Sequence, residues 1–478
     1  MPSTLIFAAC CVVAALFAWL EWQRRAWPHR RPPAWLWFAP SLVRVAVLAW
    51  KLDRLYEFFT ETARTLGLVF SIHLPIYGRI YFLLHPDDVK HVLHENFSNY
   101  VKGPIVHDNL MDLLGDGIFT TDGELWKKQR QAASHLFKKR LLDNAVRVIV
   151  GHSHDVADVF GDAVRSADAV DVQKIYSSFT MDSFVEIAFG RQQSTLKQLT
   201  PFSAAFDTAT RLLIVRLVVP WARFVPWPRL SRSIRVVHDY ADDVIRERKR
   251  EFATNKQAAE AREDALTRFM EFGESDDVKL RDAVLNLILA GRDTTAQTLS
   301  WLSYLLACNQ SVQDKLAAEV SALTEVTVDS LKSLTYAHAC MDETLRLYPP
   351  VAIDIKQSIN EDTLPSGVRM PPDTCFVWSA YCMGRSELMW KDPTKFIPER
   401  WLGPENTAIV NGGAPFPFQI GPRVCLGMNF AYLEVKALMV QILPKFKFVV
   451  AKAHPAPILA PGVTLSAKDG VFLGIARR

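Results

Sequence analysis

A short segment around Cys425 carries the residue types that could bind a metal through sulfur. It reads Phe418-Gln-Ile-Gly421-Pro-Arg423-Val-Cys425-Leu-Gly427, with a glycine on each side of the cysteine. Glycine permits tight turns and the close approach of a flat partner. A nearby cation lowers the pKa of a thiol, and the thiolate is the form that binds a metal. The segment therefore predicts a thiolate ligand at Cys425.

The elements beside this loop favour the same chemistry. A helical pattern at Phe430–Val440 places Cys425 just before a helix N-terminus, where the positive end of the dipole stabilises a thiolate. The alternative is a buried structural cysteine in a glycine turn. For a lone cysteine we would prefer that alternative, but the combination of Phe, Gly, Arg, Cys and Gly in one register argues against it.

A second unusual segment, Ala290-Gly291-Arg-Asp293-Thr294-Thr, lies inside the helical pattern Leu280–Leu306. Glycine in a helix interior costs about 1 kcal/mol relative to alanine, so its presence requires a reason. Taken alone, the segment is also consistent with a helix kink that packs against a neighbour.

The cysteine segment resembles the haem-binding loop of the cytochromes P-450, the haem-thiolate monooxygenases. Further motifs extend the resemblance over nearly the whole chain after its N-terminal region. The resemblance implies haem b as cofactor, Cys425 as axial ligand of the iron, and Gly421 and Gly427 at its turn. A thiolate ligand pushes electron density onto iron and favours O–O cleavage. Arg423 would pair with a haem propionate, and Phe418 would pack under the ring near the sulfur.

The same resemblance gives the residues of the long helix their expected roles. Ala290 and Gly291 would leave room for dioxygen above the iron. Thr294 would hydrogen-bond the bound oxygen, and Asp293 would relay protons from solvent. Two protons must reach the distal oxygen for O–O cleavage, so a hydroxyl and a carboxylate suit this position.

Three charged residues would form a structural network. Glu343 and Arg346 are three residues apart on a predicted helix, a spacing that alone usually indicates a surface ion pair. With Arg400, the resemblance implies a buried network that holds the loop carrying Cys425. Removing one member should leave a buried charge unpaired and cost several kcal/mol.

Further cations would bind the propionates. Trp126 and Arg130 lie four residues apart on one predicted helix and would both point at a propionate, although a packed tryptophan on an amphipathic helix is the alternative. Lys356 matches a position where the family usually has arginine, so a point charge replaces a bidentate fork. Asp354 is a departure, because an acid is unexpected near a carboxylate substrate.

Composition limits the function classes. The 478 residues contain 55 Lys and Arg against 51 Asp and Glu, a balance too small and dispersed to indicate nucleic acid as partner. Seven scattered cysteines fit a reducing compartment rather than a disulfide framework. Length alone suggests about three domains. No flexible linker interrupts residues 60–478, so we expect one catalytic domain over residues 53–478.

The predicted fold class is mainly α with small β-sheets. The predicted helices in this domain, besides the one after the cysteine, are Leu125–Arg147, Met181–Phe189, Ser231–Phe252, Leu280–Leu306, Ser311–Thr324 and Leu334–Leu347. The predicted strands are Phe70–Leu74, Ile80–Leu84, Cys375–Ala380 and Val463–Ser466.

The N-terminal region predicts membrane attachment. An apolar run from Leu5 to Leu20 is long enough, with its flanks, for a transmembrane anchor over residues 1–23. Arginines follow the run, so the domain should face the cytosol, with the endoplasmic reticulum as the expected membrane. A cleaved signal peptide is the alternative, but the basic segment that normally precedes its apolar core is missing.

Residues 24–52 form a basic, proline-rich linker and a membrane-surface segment; the apolar stretch Ala34–Trp50 could also span the bilayer. Leu212–Leu230 is either a buried loop or a lip that enters the bilayer.

Local strings resemble the fatty-acid ω-hydroxylase branch of this family. They are Arg292 within Ala290–Thr295, which we call the distal segment, Gly115-Asp-Gly-Ile-Phe and Phe202–Asp207. The resemblance implies a monooxygenase that takes electrons from NADPH through cytochrome P-450 reductase, with cytochrome b5 as a further electron donor, and hydroxylates a small lipophilic substrate. The preferred substrate is a fatty acid, attacked at or near its ω carbon. The alternatives are sterol or terpenoid oxidation, peroxide rearrangement, and a membrane-tethered haem sensor without activity.

Overall fold

The computed structural model describes residues 55–478 except 75–77, 138, 219–224, 256, 258–261, 263, 404–414 and 461. The predicted anchor and the membrane-surface segment therefore lie outside the described residues. In the described part of the chain, no helix combines the length and apolarity needed to cross a bilayer. This part is mainly helical with small sheets, which confirms the predicted fold class.

The described helices are numbered in chain order. They are α1 Leu55–Leu66, α2 Pro86–Lys90, α3 Gly103–Leu114, α4 Gly123–Ser134, α5 Lys139–Ser166, α6 Val172–Phe189, α7 Pro201–Val218, α8 Pro228–Thr254, α9 Ala265–Glu271, α10 Asp277–Cys308, α11 Gln310–Ser321, α12 Val328–Ser333, α13 Thr335–Leu347, α14 Ala380–Gly384 and α15 Met428–Ile442.

The helix α10 is the centre of the helical core. The Asp276 side chain caps it by accepting from the Lys279 amide, and the helix continues without interruption to Cys308. It packs closely against α6 and also contacts α8, α13 and α15. Apolar residues surround it on most sides, so burial of its polar residues, such as Asn286, Arg292 and Ser303, is costly unless they have partners.

Four small sheets complete the part of the fold that the structure describes. Their strands are β1 Val69–Leu74, β2 Gly78–Leu83, β3 Tyr100–Val101, β4 Val170–Asp171, β5 Asp354–Ser358, β6 Asp362–Thr363, β7 Arg369–Met370, β8 Cys375–Trp378, β9 Phe446–Val450, β10 Leu459–Ala460, β11 Ser466–Ala467 and β12 Phe472–Arg477. The largest has the order β1-β2-β8-β5-β3. In it, β2 and β8 run parallel, and β5 pairs antiparallel with β8, with Lys356 opposite Phe376. A second apolar core covers this sheet.

Three predicted elements were wrong in extent. Met181–Phe189 is only the second half of α6, which begins at Val172 after the Asp171 cap. Leu125–Arg147 is not one helix, because a 3₁₀ turn at His135–Phe137 separates α4 from α5. The break follows Ser134, a residue type with a weak preference for helix interiors. The predicted strand Val463–Ser466 shrinks to β11, since the Leu465 amide donates to the Pro350 carbonyl instead of a strand neighbour.

Candidate active site

The cysteine loop is a closed turn that leads directly into a helix. The Cys425 amide donates to the Phe418 carbonyl at 2.9 Å, and the Val424 amide donates to the Gly421 carbonyl at 3.0 Å. Helix α15 begins at Met428, three residues after the cysteine. The predicted position of Cys425 before a helix N-terminus is therefore confirmed.

Gly421 fixes this loop against a neighbouring π-helical turn, His91–Glu95. Its φ is +70°, and a Cβ added there would lie 2.3 Å from the Leu93 carbonyl oxygen. Only glycine combines this backbone conformation with such close contact. Gly427 is less crowded, because a Cβ there would lie 3.9 Å from the Cys425 sulfur. The Phe418 ring packs against Tyr432 at a centroid distance of 5.5 Å.

The surroundings of the Cys425 thiol differ from those that the sequence predicted. The residue presents accessible surface, yet protein atoms surround the sulfur closely enough for burial to raise its pKa. The Gly427 backbone hydrogen bond and the charge of Arg130 oppose this rise. Arg423, which we expected to lower the thiol pKa, instead directs its guanidinium at Asp122. Deprotonation of Cys425 therefore requires a partner that stabilises the thiolate, such as a metal ion.

Arg423 joins the cysteine loop to the segment before α4. Its Nη2 donates to Asp122 Oδ1 at 2.6 Å and to the Thr121 carbonyl at 2.8 Å. Its guanidinium also lies over the Trp126 ring, 4.4 Å from the centroid. Its buried Nε has no acceptor among the described residues. An unmet donor on a buried cation is costly, so this side chain can accommodate a further acceptor.

Lys356 on β5 lies near this arginine and is completely buried. Its Nζ sits 4.8 Å from the Phe97 ring centroid and 3.5 Å from the Tyr100 carbonyl. Burial lowers its pKa to about 7, and repulsion by Lys102 and Arg423 adds to the effect. No carboxylate among the described residues contacts this ammonium, so an anionic partner would stabilise it.

Two carboxylates bracket these cations. Asp354, the unexpected acid, receives the Lys102 ammonium at 2.7 Å and the Gln419 amide. Asp122 accepts the amides of Lys102 and Gly103 at 3.0 and 3.1 Å. Its side chain therefore caps α3 from a distance, while α4 begins at the next residue, Gly123.

Trp126 and Arg130 lie on α4 beside this cluster. Trp126 is buried, and its ring stacks at an angle on Phe97 with a centroid distance of 5.6 Å. Arg130 Nη2 donates to the Val424 carbonyl at 2.7 Å, so this arginine contacts the residue before the cysteine. Both predicted residues thus face the loop, each through a partner within the protein.

These residues fit an iron porphyrin. A cysteine that presents accessible surface follows a turn that glycine keeps thin, and Lys356 and Arg423 next to it have unmet capacity for anions. The arrangement suits a flat, metal-containing ligand with acidic side groups. Cys425 would hold its iron, and Arg423 and Lys356 would hold its propionates.

The distal segment contains a charged bridge between helices. Arg292 Nη1 lies 2.8 Å from Asp293 Oδ1 on the same helix and also pairs with Asp207 on α7. Burial opposes the charge of Arg292, but the two carboxylates outweigh it and raise its pKa. Burial raises the pKa of Asp293, and Arg292 offsets this in part. Asp207 is half-exposed and the Asp293 side chain is 14% exposed, so the bridge leads from a mostly buried carboxyl to solvent.

Glycine is needed at position 291 for a reason other than the predicted one. A Cβ at this position would lie 1.7 Å from a ring carbon of Phe184 on α6. The missing side chain thus permits close packing of α10 on α6, the alternative that the sequence left open, and this face offers no room for dioxygen. Ala290 remains partly accessible, and its carbonyl accepts the hydroxyl of Thr294. Thr294 is itself only partly buried.

The charged network of Glu343, Arg346 and Arg400 is present and buried. Glu343 Oε1 accepts from Arg346 Nη2 at 2.8 Å and from Arg400 Nε at 3.0 Å. Its Oε2 accepts from Arg346 Nε and Trp401 Nε1, both at 2.9 Å. Arg346 also donates to carbonyls at residues 384, 393 and 395. The hydrogen bonds described for this network end at residues 384–401 and do not reach the cysteine loop, which Gly421 and Arg423 hold instead.

Several contributing residues escaped the sequence-based reasoning. Asp122, Asp207 and Trp401 contact predicted site residues, and Lys102 pairs with Asp354 beside them. Asp207 lay within the quoted string Phe202–Asp207, but its partner Arg292 is 85 positions away; Trp401 lies 58 positions from its partner Glu343. Such pairings leave no periodic signal, because only the packing of distant helices brings them together.

A family model of cytochrome P450 matches residues 31–473. The chain belongs to the cytochrome P450 family. It is 32% identical to cytochrome P450 704B1 of Arabidopsis thaliana, over 98% of this chain and 99% of that protein. It is 36% identical to cytochrome P450 94A1 of Vicia sativa, over 78% and 76% of the two chains. It is 33% identical to cytochrome P450 monooxygenase cyp1 of Mycosarcoma maydis, over 80% and 64%.

Membership gives the site its general chemistry. A cytochrome P450 is a monooxygenase with a haem whose iron is bound by a cysteine thiolate, and members of the family generally receive electrons from redox partner proteins. The cysteine loop and its cations are the part of this chain that fits such a group.

Proposed function

We propose that this cytochrome P450 hydroxylates long-chain fatty acids at or near the ω carbon. The observation that carries the proposal is the bridge Asp207–Arg292–Asp293. Two of the strings that resemble the ω-hydroxylase branch, one around Arg292 and one ending at Asp207, contribute its two ends. Their contact indicates that both belong to one functional unit next to the distal helix.

The bridge supports proton delivery. Arg292 holds the Asp293 carboxyl on the same helix as Thr294, one residue before it. A carboxyl whose pKa is raised by burial binds a proton more readily than an exposed one. The half-exposed Asp207 provides the connection to solvent. Proton transfer from a positioned carboxyl and hydroxyl typically contributes two to four orders of magnitude in rate.

Thr294 is the residue that presents a proton to the reacting centre. Its hydroxyl donates to the Ala290 carbonyl, so a single rotation of the side chain redirects it toward a ligand. When bound, the thiolate-ligated haem activates dioxygen. The chain's own contribution is to hold Cys425 in its turn, to bind the propionates through Arg423 and Lys356, and to place Thr294 and Asp293 at the distal helix.

The proposal includes a membrane location and a redox partner. NADPH-cytochrome P450 reductase would supply both electrons, with cytochrome b5 as a further donor. The apolar and basic pattern of residues 1–52 supports an anchor in the endoplasmic reticulum with a cytosolic domain. A lipid substrate would then reach the enzyme from the bilayer.

A spectral titration tests the proposal. Purified ferric protein is titrated with saturated fatty acids of graded length, and the Soret band is followed. We expect a saturable shift toward high spin that depends on chain length, since a chain entering the distal pocket displaces iron-bound water. Turnover with reductase and NADPH should then give terminally hydroxylated acids. A normal haem spectrum that no fatty acid perturbs would refute the fatty-acid assignment, and sterols and terpenoids would be tested next. Normal substrate binding without NADPH-dependent oxygen consumption would favour a haem sensor.

A further inference from the structure

One tyrosine connects the cysteine loop to the protein surface. Tyr432 lies on α15, and its ring packs on the Phe418 ring of the loop at a centroid distance of 5.5 Å. The Phe418 carbonyl in turn accepts the Cys425 amide at 2.9 Å. A short path of one ring contact and one backbone hydrogen bond therefore runs from Tyr432 to the residue that would bind the iron.

A histidine also stacks on Tyr432. The His338 ring of α13 lies nearly parallel to it, at a centroid distance of 4.1 Å. The His338 side chain is 47% exposed. The rings of Phe418, Tyr432 and His338 thus form a continuous series of contacts from the cysteine loop to solvent.

The hydroxyl of Tyr432 is in contact with a base. It donates to Asp342 Oδ1 on α13, and the Asp342 side chain is only 20% exposed. Burial and Asp342 raise the pKa of Tyr432 well above its ordinary value, so the hydroxyl keeps its proton as long as the ring is not oxidised. A phenol that loses an electron becomes a strong acid. A carboxylate within hydrogen-bond reach then takes the proton and makes the loss of the electron easier.

A competing aromatic ring near the candidate haem site is less suited to oxidation. Trp126 carries two cations over its ring, with the Arg423 guanidinium 4.4 Å and the Arg130 guanidinium 5.8 Å from the centroid. A ring that loses an electron becomes positive, and nearby cations oppose this change. Tyr432 instead has a carboxylate in contact, so its oxidation is favoured over that of Trp126.

We propose that Tyr432 is a redox-active residue that gives an electron to the haem when a peroxide oxidises the haem in the absence of substrate. The peroxide removes two electrons from the haem group. Tyr432 returns one of them through Phe418 and the cysteine loop, its hydroxyl proton moves to Asp342, and a neutral tyrosyl radical remains. A water-soluble one-electron reductant such as ascorbate then restores the tyrosine through the exposed edge of His338, and Asp342 returns the proton. The role goes beyond the proposed hydroxylation and does not depend on the identity of the substrate.

The experiment mixes haem-loaded ferric protein, free of substrate, with peracetic acid and freezes it rapidly for electron paramagnetic resonance. We expect a tyrosyl radical signal in the wild type, identified by its change when ring-deuterated tyrosine is incorporated, and its loss in Tyr432→Phe. Bleaching of the Soret band should be faster in Tyr432→Phe, because the oxidising equivalents stay at the haem. The control is Tyr336→Phe, since Tyr336 also donates to a carboxylate, Glu399 at 2.9 Å, but has no described aromatic contact with the cysteine loop. It should keep the wild-type signal and bleaching rate.

A second variant, Asp342→Asn, keeps the ring contacts and removes the base, so it should decrease the radical signal. In the wild type the signal should fall as pH decreases through about 6, the value to which burial raises the pKa of Asp342, because the protonated carboxyl cannot accept a proton. Tyr432 and Lys436 face Asp342 from α15, and Glu343 and His338 act on it from α13. Burial lowers the pKa of His338 to about 4, so His338 stays neutral over this range. Asp342→Asn should lack this pH dependence.

The outcomes decide for or against the redox role. A tyrosyl signal of equal size in Tyr432→Phe, or no tyrosyl signal in the wild type, overturns the proposal. If Tyr432→Phe does not retain haem, Asp342→Asn decides: a smaller signal at normal haem content supports the proposal, and an unchanged signal overturns it. Because the reaction contains no substrate, failure of the fatty-acid assignment would leave these results unaffected.

Discussion

Replacement of Glu343 by glutamine removes the only carboxylate described in a buried network with two guanidinium groups. In the native protein its two oxygens accept from Arg346, Arg400, Trp401 and the Ile397 amide, all at 2.8 to 3.0 Å. Glutamine replaces one of these acceptor oxygens with an NH2 group. That NH2 group would face N–H donors and could not accept their hydrogen bonds. Two buried positive charges would also lose their counter-charge.

The expected loss of unfolding free energy is about 3–5 kcal/mol, the usual cost of breaking a buried ion pair from one side. Unfolding entropy near the melting temperature is about 2 cal/mol/K per residue, so a chain of 478 residues changes by about 1 kcal/mol for each kelvin. The melting temperature of Glu343→Gln should therefore fall by about 3–5 K.

Thermal unfolding followed by circular dichroism measures this shift on the haem-loaded protein. Glu399→Gln is the matched control, because Glu399 pairs with Lys315 at 2.7 Å while 43% exposed and should lose less than about 1 kcal/mol. The haem content of both variants should be determined in parallel. If Glu343→Gln melts within a degree of Glu399→Gln, the network does not stabilise the fold as we argue.

Three further outcomes follow from single contacts. Gly291→Ala should destabilise the protein by about 1–3 kcal/mol or more, because the added Cβ clashes with Phe184. Gly151→Ala, at an open helix position, is the control and should stabilise the protein by up to about 1 kcal/mol. Thermal unfolding measures both changes. Cys425→Ala should abolish the thiolate-type spectrum of the reduced carbon monoxide complex, and its retention would remove Cys425 as the iron ligand. Burial raises the pKa of Glu434 from 4.5 to about 8, so the folded state binds more protons than the unfolded state between these values. Stability should therefore fall as pH rises from about 4.5 through 8, and Glu434→Gln should reduce that slope in melting temperatures measured at pH 5 to 8; an unaltered slope would contradict this.

Local patterns were sufficient for the loop and for several of the longer helices, but α1, α3 and α7 were not predicted. The start of α15 three residues after Cys425 follows from glycine and helix periodicity, both of which act over a few neighbouring residues. The pairing of Glu343 with Arg346 follows from their spacing on one helix. The division of Leu125–Arg147 was not predicted, because the amphipathic pattern hardly changes across the break.

The function of individual residues depended on contacts distant in sequence. Gly291 was predicted to make room for a ligand, and Phe184 on another helix occupies that space. Arg423 was predicted to lower the thiol pKa, but its guanidinium pairs with Asp122, some 300 residues earlier in the chain. In both cases the residue type indicated that the position was important, but the sequence did not predict which residue it would contact.

The sequence by itself determined the chemistry available to this protein: a cysteine in a glycine turn before a helix, and a hydroxyl and a carboxyl within a long helix. These features depend on bonding between near neighbours, which residue order specifies directly. Only the tertiary structure decided which groups hold one another, as in the Asp207–Arg292–Asp293 bridge and the hydrogen bond from Tyr432 to Asp342. Burial and charge compensation arise when helices far apart in the chain pack together, so the direction of a pKa shift and the strength of an ion pair are properties of the fold.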